Sequence, residues 1–471
     1  MKRALVLTAL LAVAAVAGAL AYRAAARDRS YRTLIASGEA ALAAGETLAA
    51  IEDFSGAIAV RPDAMLARLR RGETYRQRGD YDVAARDFRA AAALDPTATR
   101  PLELLGDVLF AQERFHRAAD TYQARLSLDD HSALVRYKLA LARYRDGQLD
   151  AALTDARAAI ALDDRSGDAR YLAALCLRDQ GHRDEALALL REAVERAPGL
   201  VPAREELADL YAAEGRYTEQ VQQLQVLAGL EGRRVERQVA VGLAQAKAGK
   251  ADLAVATLTA ALEQTTDQAL VNAALGRVWL QVVEERRDGA EALGKALEAL
   301  ERAASALNAT SEIKTLYGRA LALSGQLDAA EQVFQQAVER YPLDPSAFPQ
   351  LATVAQQLGH HDVARTALMD YVALTGPDTI AAGQAARIGA LSVTLHDWPT
   401  AIPWLQKAVA ERPTDIGLLG DLAHAQIEAG ELRGARVSIT RAQLLDAANL
   451  TIAALDQRLT TRESTHDSPG H

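Results

Sequence analysis

The chain has 471 residues, of which 50% are apolar and 24% are charged, and its formal net charge is −9. This balance opposes a nucleic-acid partner, which would need a basic stripe on the protein. The one cysteine, Cys176, excludes a disulfide within the chain and a zinc site built from cysteines, and neither a metal nor another cofactor is predicted.

Residues 1–29 are predicted to form a membrane anchor or signal segment. Residues 4–22 carry no charge and follow Lys2 and Arg3. In a helix these residues span about 28 Å, close to the apolar core of a bilayer of about 30 Å. A retained single-pass anchor is favoured because the apolar run is long for a signal sequence. The alternative is a signal sequence cleaved near Ala19-Leu20-Ala21.

The charges beside this segment leave its orientation open. Lys2 and Arg3 favour an N-terminus inside the cell, whereas the four arginines within residues 23–32 favour the opposite. A short basic start before a signal-like run is the common export pattern. We therefore expect an inner-membrane protein whose remaining residues are periplasmic, with the cytoplasmic orientation as the alternative.

Glycine or alanine then recurs every 34 residues along almost the whole chain. The series is Gly38, Gly72, Gly106, Ala140, Ala174, Ala208, Gly242 and Gly276, then Gly318 and Ala352 after eight extra residues, then Gly389 and Ala423 after three more. A period of this length indicates one supersecondary unit that buries its apolar face only by stacking on its neighbours. The predicted repeats lie within 30–447 and begin near residues 31, 65, 99, 133, 167, 201, 235, 269, 311, 345, 382 and 416.

Each repeat is predicted to be a pair of helices, for example 65–77 and 80–93. Counted from its start, position 8 is the small residue just described, position 15 is usually glycine, and position 20 is alanine except at Gln220. Position 24 is usually aromatic or leucine, as in Phe54 and Phe88. Glycine is typical of a helix C-terminus, so position 15 predicts the turn. The small residues at positions 8 and 20 are expected to face each other and to let the two axes approach closely.

This pattern resembles the tetratricopeptide repeat family. The resemblance depends on the small residue at position 8, large residues at 11 and 24, alanines at 20 and 27, and a closing proline such as Pro96 or Pro342. It implies an all-α fold, a right-handed α-solenoid superhelix of about twelve helix pairs. The layout is similar to that of N-terminally membrane-anchored bacterial members of the family.

Three departures from the period are predicted to be local. The eight extra residues lie within 281–291 and are expected to lengthen one or both helices of the eighth repeat, and residues 375–379 lengthen a connection between repeats. After the last repeat, residues 448–460 are predicted to be a capping helix, which a stack needs at its end. Residues 461–471 are predicted to be a disordered tail.

In the family, positions 2, 5, 9, 12 and 13 of the first helices line a concave groove, and the resemblance implies the same here. The groove candidates are Glu39, Glu73, Glu103, Asp107, Phe110, Tyr137, Tyr144, Tyr171, Glu205, Asp209, Arg277 and Arg319. The early acidic residues stand where the clamp for a C-terminal carboxylate would need Asn and Lys or Arg, so such a clamp is not expected. Acidic residues with aromatic anchors favour a basic or amphipathic segment of a partner protein.

The predicted function is that of a membrane-tethered scaffold, not an enzyme, because the repeats leave no room for a catalytic domain. By resemblance, it supports assembly of a cell-envelope, secretion or polysaccharide-export complex. The alternatives are a periplasmic adaptor released by signal cleavage, or an accessory subunit of an enzyme complex. An α-solenoid that binds single-stranded RNA is opposed by the negative charge, and self-association stays open.

Overall fold

The computed structural model describes residues 2–231, 234–266, 268–285, 289–376 and 382–466, and these residues form helices and short connections without a β-strand. The chain divides into two compact parts, Met1–Gln223 and Leu224–His471. We treat each part by itself.

The N-terminal part contains the first eleven helices and the start of a twelfth. They are α1 Lys2–Ala43, α2 Thr47–Val60, α3 Met65–Arg78, α4 Tyr81–Leu94, α5 Thr99–Ala111, α6 Phe115–Leu128, α7 Ala133–Arg145, α8 Leu149–Leu162, α9 Gly167–Asp179, α10 Arg183–Arg196, α11 Val201–Ala213 and α12 Tyr217–Leu230.

The C-terminal part begins within α12 and continues with thirteen described helices. They are α13 Val235–Lys247, α14 Ala251–Leu262, α15 Ala269–Glu285, α16 Ala290–Ala304, α17 Ser311–Leu323, α18 Leu327–Arg340, α19 Phe348–Leu358, α20 His361–Thr375, α21 Ala382–Thr394, α22 Trp398–Glu411, α23 Ile416–Ala429, α24 Leu432–Leu445 and α25 Leu450–His466.

Within each part, consecutive helices pack as the 34-residue period predicts. A first helix packs on the second helix of its own repeat, as α3 does on α4, and that second helix packs on the first helix of the next repeat, as α4 does on α5. The same order holds in the C-terminal part for α17, α18 and α19. The all-α stack of helix pairs expected from the sequence is thus confirmed.

Inside a repeat, the small residue at position 8 packs directly against the large residue at position 24. A Cβ atom added to Gly72 would lie 2.8 Å from Cε1 of Phe88, and one added to Gly318 would lie 2.6 Å from Cε1 of Phe334. Both aromatic side chains are fully buried. The ring at position 24 therefore fills the space above the glycine at position 8.

The turn between the two helices depends on a left-handed residue at position 15. All nine glycines predicted there have a positive φ, from Gly45 to Gly430. Glu113 and His396 occupy the same position in repeats without that glycine, and they keep the conformation with φ of 59° and 57°. A side chain is unfavourable in this region of backbone space, so the stacking of the repeats imposes the turn even where the residue opposes it.

The eighth repeat takes up its extra residues partly as a longer first helix. α15 has 17 residues, against 13 in α13 and α17. Residues 286–288 lie outside the described residues, as do residues 377–379 of the second predicted insertion. The insertion therefore adds about one turn to α15 and keeps the position-8 contact of Gly276 with Leu300.

The two ends of the chain differ from the predicted segments. The anchor and the first helix of repeat 1 form one uninterrupted helix, α1. At the other end α25 runs to His466, past the predicted boundary at residue 460, because Arg462 donates to the carbonyl oxygen of Ile427 at 2.6 Å and Glu463 pairs with Arg436. Residues 467–471 of the predicted tail lie outside the described residues.

We expect Gly318→Ala to destabilise the chain by about 1–3 kcal/mol, because the new methyl group would force the Phe334 ring out of its packed position. The measurement is the shift of the urea midpoint, followed by circular dichroism. Gly294→Ala is the matched control, since a Cβ there meets nothing within 4 Å and an exposed helical glycine gains about 0.5–1 kcal/mol on becoming alanine. Equal midpoints for the two variants would contradict the packing argument.

Candidate partner-binding surface

Side chains join each first helix of the N-terminal part to the first helix of the next repeat. Arg70 on α3 pairs with Glu39 on α1 at 3.2 Å, and Arg100 on α5 pairs with Glu73 on α3 at 2.6 Å. Glu73 is buried and also accepts from Arg70 at 3.0 Å. Glu39 and Glu73, two of the predicted groove acids, therefore have cationic partners within the chain.

The third and fourth repeats are joined by one lysine between two carboxylates. Lys138 Nζ lies 2.8 Å from Glu103 and 2.9 Å from Asp107, and the Tyr122 hydroxyl donates to Asp107 at 2.7 Å. Burial alone would lower the pKa of Lys138, but its hydrogen bonds to the two carboxylates raise the pKa above the usual value. Lys138 therefore stays charged at neutral pH, and its one positive charge is shared between the two carboxylates.

The next two connections involve a tyrosine and an arginine. The Tyr144 hydroxyl on α7 donates to Asp179 on α9 at 2.8 Å, and Arg178 on α9 pairs with Glu206 on α11 at 2.7 Å. Burial, strengthened by the hydrogen bond to Asp179, raises the pKa of Tyr144 to about 12. Tyr144 thus links two repeats and is not a free anchor for a partner.

The two basic groove candidates in the C-terminal part have the same role. Arg277 on α15 pairs with Glu312 on α17, and Arg319 on α17 pairs with Glu284 on α15 at 2.5 Å. These reciprocal pairs lie between the first helices of the eighth and ninth repeats. We call the whole series, from Glu39 to Arg319, the inter-repeat ladder.

Phe110 and the two remaining tyrosines differ in exposure and packing. The Phe110 ring packs edge-on against Phe115, with centroids 5.2 Å apart, and belongs to the wall of its own core. Tyr137 and Tyr171 stand at position 5 of successive repeats, are half-buried, and rest on the core with Leu141. Among the described residues neither hydroxyl has a hydrogen-bond partner. Each of these two side chains therefore presents an apolar ring face and a hydroxyl group to a binding partner.

We define the tyrosine patch as Tyr137, Leu141, Tyr171 and the half-buried Leu175. Burial raises the pKa of Tyr137, with Asp168 and then Tyr171 adding to the shift. Burial also raises the pKa of Tyr171, with a further rise from Glu206. The patch is therefore apolar and lies near several carboxylates, with the Arg178 guanidinium partly opposing their effect at Tyr171.

The sixth repeat places two further predicted acids beside this patch. Asp209 is exposed, and no ion pair joins it to another described residue. The carboxylate of Asp209 is nevertheless partly buried, and this burial is the main cause that raises its pKa. The neighbouring charges of Glu206 and Glu205 raise the pKa further. Asp168, at position 2 of the fifth repeat, is likewise exposed. Together Asp168, Glu205 and Asp209 form the acidic border of the tyrosine patch.

The sequence analysis missed the inter-repeat ladder, although a signal for it exists. Opposite charges recur at separations of about one repeat, as in Glu103 and Lys138 or Arg277 and Glu312, which are both 35 residues apart. On stacked first helices such residues face each other. The pairs are not recognised when the groove positions of each repeat are considered alone. They are recognised when the groove positions of two successive repeats are compared.

Stacked helix pairs of one 34-residue design, joined along their first helices, define a helical repeat protein. A family profile described as tetratricopeptide repeat matches residues 35–99, 72–133, 103–169, 137–201 and 171–230. A second profile with the same description matches residues 311–354. Together the two profiles cover about half of the chain, which belongs to the tetratricopeptide repeat family.

Comparison with solved structures finds similar chains at low identity. A crystal structure of MamA protein is 23% identical, with a TM-score of 0.35, over 36% of this chain and 92% of that one. YrrB, described as a TPR protein with an unusual peptide-binding site, is 21% identical, with a TM-score of 0.33, over 38% of this chain and 91% of its own. Naa15/Naa10 bound to HypK-THB gives 15% identity and a TM-score of 0.40 over 78% of this chain and 67% of that one. No curated protein matches the chain.

Family membership supports a coarse functional statement. Tetratricopeptide repeats generally mediate protein–protein interaction, and their fold is typically a non-catalytic scaffold. Among the described residues, α1 is the one helix long and apolar enough to cross a membrane, a test that a signal sequence also passes. The apolar side chains of its outer half, such as Leu11 and Leu20, are exposed.

We expect Lys138→Met to destabilise the chain by about 1–2 kcal/mol, because Glu103 and Asp107 would lose their shared cation while three-quarters buried. The cost is below that of breaking a fully buried pair, since solvent still screens the carboxylates. Urea unfolding measures it. Arg89→Met, which removes an exposed cation from α4, is the control, and an equal effect of both variants would count against the ladder.

Proposed function

We propose that the chain is a membrane-tethered scaffold that binds partner polypeptides on the surface of its first helices, with the tyrosine patch as the principal contact. One observation carries the proposal. Tyr137 and Tyr171 expose adjacent rings with unpartnered hydroxyls within the described residues, on a surface whose other groove candidates are largely engaged in the inter-repeat ladder. Aromatic residues of this kind contribute most at protein interfaces.

The partner segment is proposed to be basic or amphipathic. The acidic border of Asp168, Glu205 and Asp209 surrounds an apolar centre, and a segment with apolar side chains flanked by lysine or arginine is complementary to both. The inter-repeat ladder reduces the number of acids expected to attract the partner, because cations of the chain already pair with Glu39, Glu73, Glu103 and Asp107. Charge attraction is therefore concentrated at the fifth and sixth repeats.

The tether is proposed to be the apolar part of α1, retained as a single-pass anchor in the inner membrane with the repeats in the periplasm. The alternatives are the cytoplasmic orientation and a periplasmic adaptor or accessory subunit released by signal cleavage. The role we propose is support of the assembly of a cell-envelope, secretion or polysaccharide-export complex. The long apolar N-terminal helix and the family's general role in protein–protein interaction support this role.

We expect Tyr137→Ala combined with Tyr171→Ala to reduce partner binding at least about tenfold, because truncating two central aromatic contacts costs about 2 kcal/mol or more. The measurement is quantitative mass spectrometry of proteins crosslinked to the full chain in native membranes. Circular dichroism should show unchanged helicity.

Tyr81→Ala combined with Tyr217→Ala is the control, because these tyrosines begin the second helices α4 and α12 and lie off the patch. The control should keep the crosslinked partners of the wild type. If both double variants retain the same partners in the same amounts, the tyrosine patch is not the binding surface. Partners kept unchanged at 1 M salt would argue against the acidic border, since salt screens exposed charges.

We expect the full-length chain to remain in the membrane pellet after alkaline carbonate washing and to keep its residues 4–22. About 19 apolar residues in a helix bury enough surface to hold the chain in the bilayer. Fractionation and the intact mass check this. Deletion of residues 4–22 should release the chain, and a mature N-terminus near Tyr22 would instead favour the signal-cleaved adaptor.

A further inference from the structure

The C-terminal part contains a cavity of about 410 Å³ between α23 and the capping helix α25. Its lining combines apolar side chains of both helices, Ile416, Ile452 and Leu455, with polar ones such as Asn449 and Thr451. A cavity of this size falls within the range of sites that enclose a small group or a side chain. It lies on the first-helix side of the last repeat, because α25 stands where a further first helix would begin.

The cavity exists because two glycines replace side chains on α23. Gly417 and Gly420 occupy groove positions 2 and 5 of the twelfth repeat and line the cavity. A Cβ added to Gly420 would meet Ile452 Cδ1 at 3.4 Å, an ordinary contact distance. The packing of α23 on α25 therefore leaves room for a Cβ atom at this point, and the glycine leaves that space empty.

Asp421 supplies the charge of the cavity. It is half-buried, and within the described residues its carboxylate has neither a hydrogen bond nor an ion pair. Burial raises its pKa, with Asp415 adding to the rise and His424 opposing it. An ionised carboxylate in such a place gains from a cationic partner.

The other charged residue of the cavity is already engaged. Arg458 on α25 pairs with Glu428 at 2.5 Å, and Glu428 also pairs with Arg462 at 2.7 Å. His424 lies against the Trp398 ring with centroids 5.6 Å apart. Among the described residues the cavity thus presents one carboxylate without an ion pair or hydrogen bond, beside the apolar side chains of its lining.

We propose that this cavity binds a lysine or arginine side chain of the partner polypeptide, with the aliphatic stem against Ile452 and Leu455 and the cationic head group at Asp421. The inference rests on the proposed scaffold function and adds a second contact at the far end of the repeats. Long cationic side chains bury their stems on apolar surface while the head group keeps a polar partner, which is the arrangement that the cavity offers. A free alkyl diamine has the same chemistry and is the other source of such a group.

The test uses the full chain in detergent and three probes, observed by saturation-transfer NMR. The probes are a blocked Gly-Lys-Gly peptide, the same peptide with norleucine in place of lysine, and free 1,5-diaminopentane. The lysine peptide should bind at least tenfold more tightly than the norleucine peptide, and in a protein-observed methyl spectrum it should shift the resonances of Ile416 and Ile452. Equal binding of the two peptides would overturn the proposal, and binding of the diamine alone would assign the cavity to a free amine instead of a polypeptide.

Two variants test the role of the Asp421 charge and of the free volume of the cavity. Asp421→Asn should weaken binding of the lysine peptide at least tenfold and leave the norleucine peptide unchanged, whereas Asp370→Asn, which neutralises an exposed acid of α20, should change neither. Gly420→Leu should abolish binding by filling the cavity, with helicity retained. Binding by Asp421→Asn at the wild-type level would overturn the proposal.

The failure of this inference is distinguishable from failure of the scaffold function. If partner crosslinking depends on Tyr137 and Tyr171 but the lysine peptide does not bind, the scaffold function stands and the cavity has no role in it. If the peptide binds but no polypeptide crosslinks in membranes, the cavity is a cation site and the scaffold function fails.

Discussion

The packing of a small residue at position 8 beneath a large one at position 24 is the constraint on which the other features depend. Glycine lets the Phe88 and Phe334 rings lie directly on the facing helix, and dense packing makes that contact intolerant of one added methyl group. Because each repeat is fixed internally in this way, its first helix meets the next at a constant register. The left-handed turns of Glu113 and His396 show the strength of the constraint, since each residue adopts a backbone conformation that it disfavours.

That constant register explains why groove charges pair across repeats. Side chains about one period apart stand side by side, so an acid on one first helix meets a cation on the next, as with Glu103 and Lys138. Such pairs stabilise the stack modestly, and they also remove charge from the surface that a partner would contact. Within the described residues Asp209 and Asp421 have no such ion pair, which is why both are proposed to contact the partner.

The start of each repeat could be predicted from the sequence because it depends on glycine and alanine at fixed spacing. Their small size indicates close helix packing, and the backbone freedom of glycine indicates a turn. The turn glycines and most helix bounds follow from this spacing. The inter-repeat ladder, the length of α25 and the cavity beside Gly420 depend on contacts between neighbouring helices, and a pattern read within one repeat contains no information about them.

The continuity of α1 has a mechanical consequence for a tethered scaffold. Asp28, six residues beyond Tyr22, pairs with Arg61 at 3.1 Å and with Arg32 at 2.7 Å, and Arg61 also lies over the Tyr31 ring at 5.0 Å. These contacts fasten the segment after the apolar run to repeat 1, so there is no hinge between them within the described residues. At 1.5 Å per residue, Tyr31 lies about 14 Å along the helix from Tyr22. If α1 crosses a membrane as proposed, the first repeat is held at a fixed height and angle above the bilayer. The anchor would then fix the orientation in which a partner meets the first repeat.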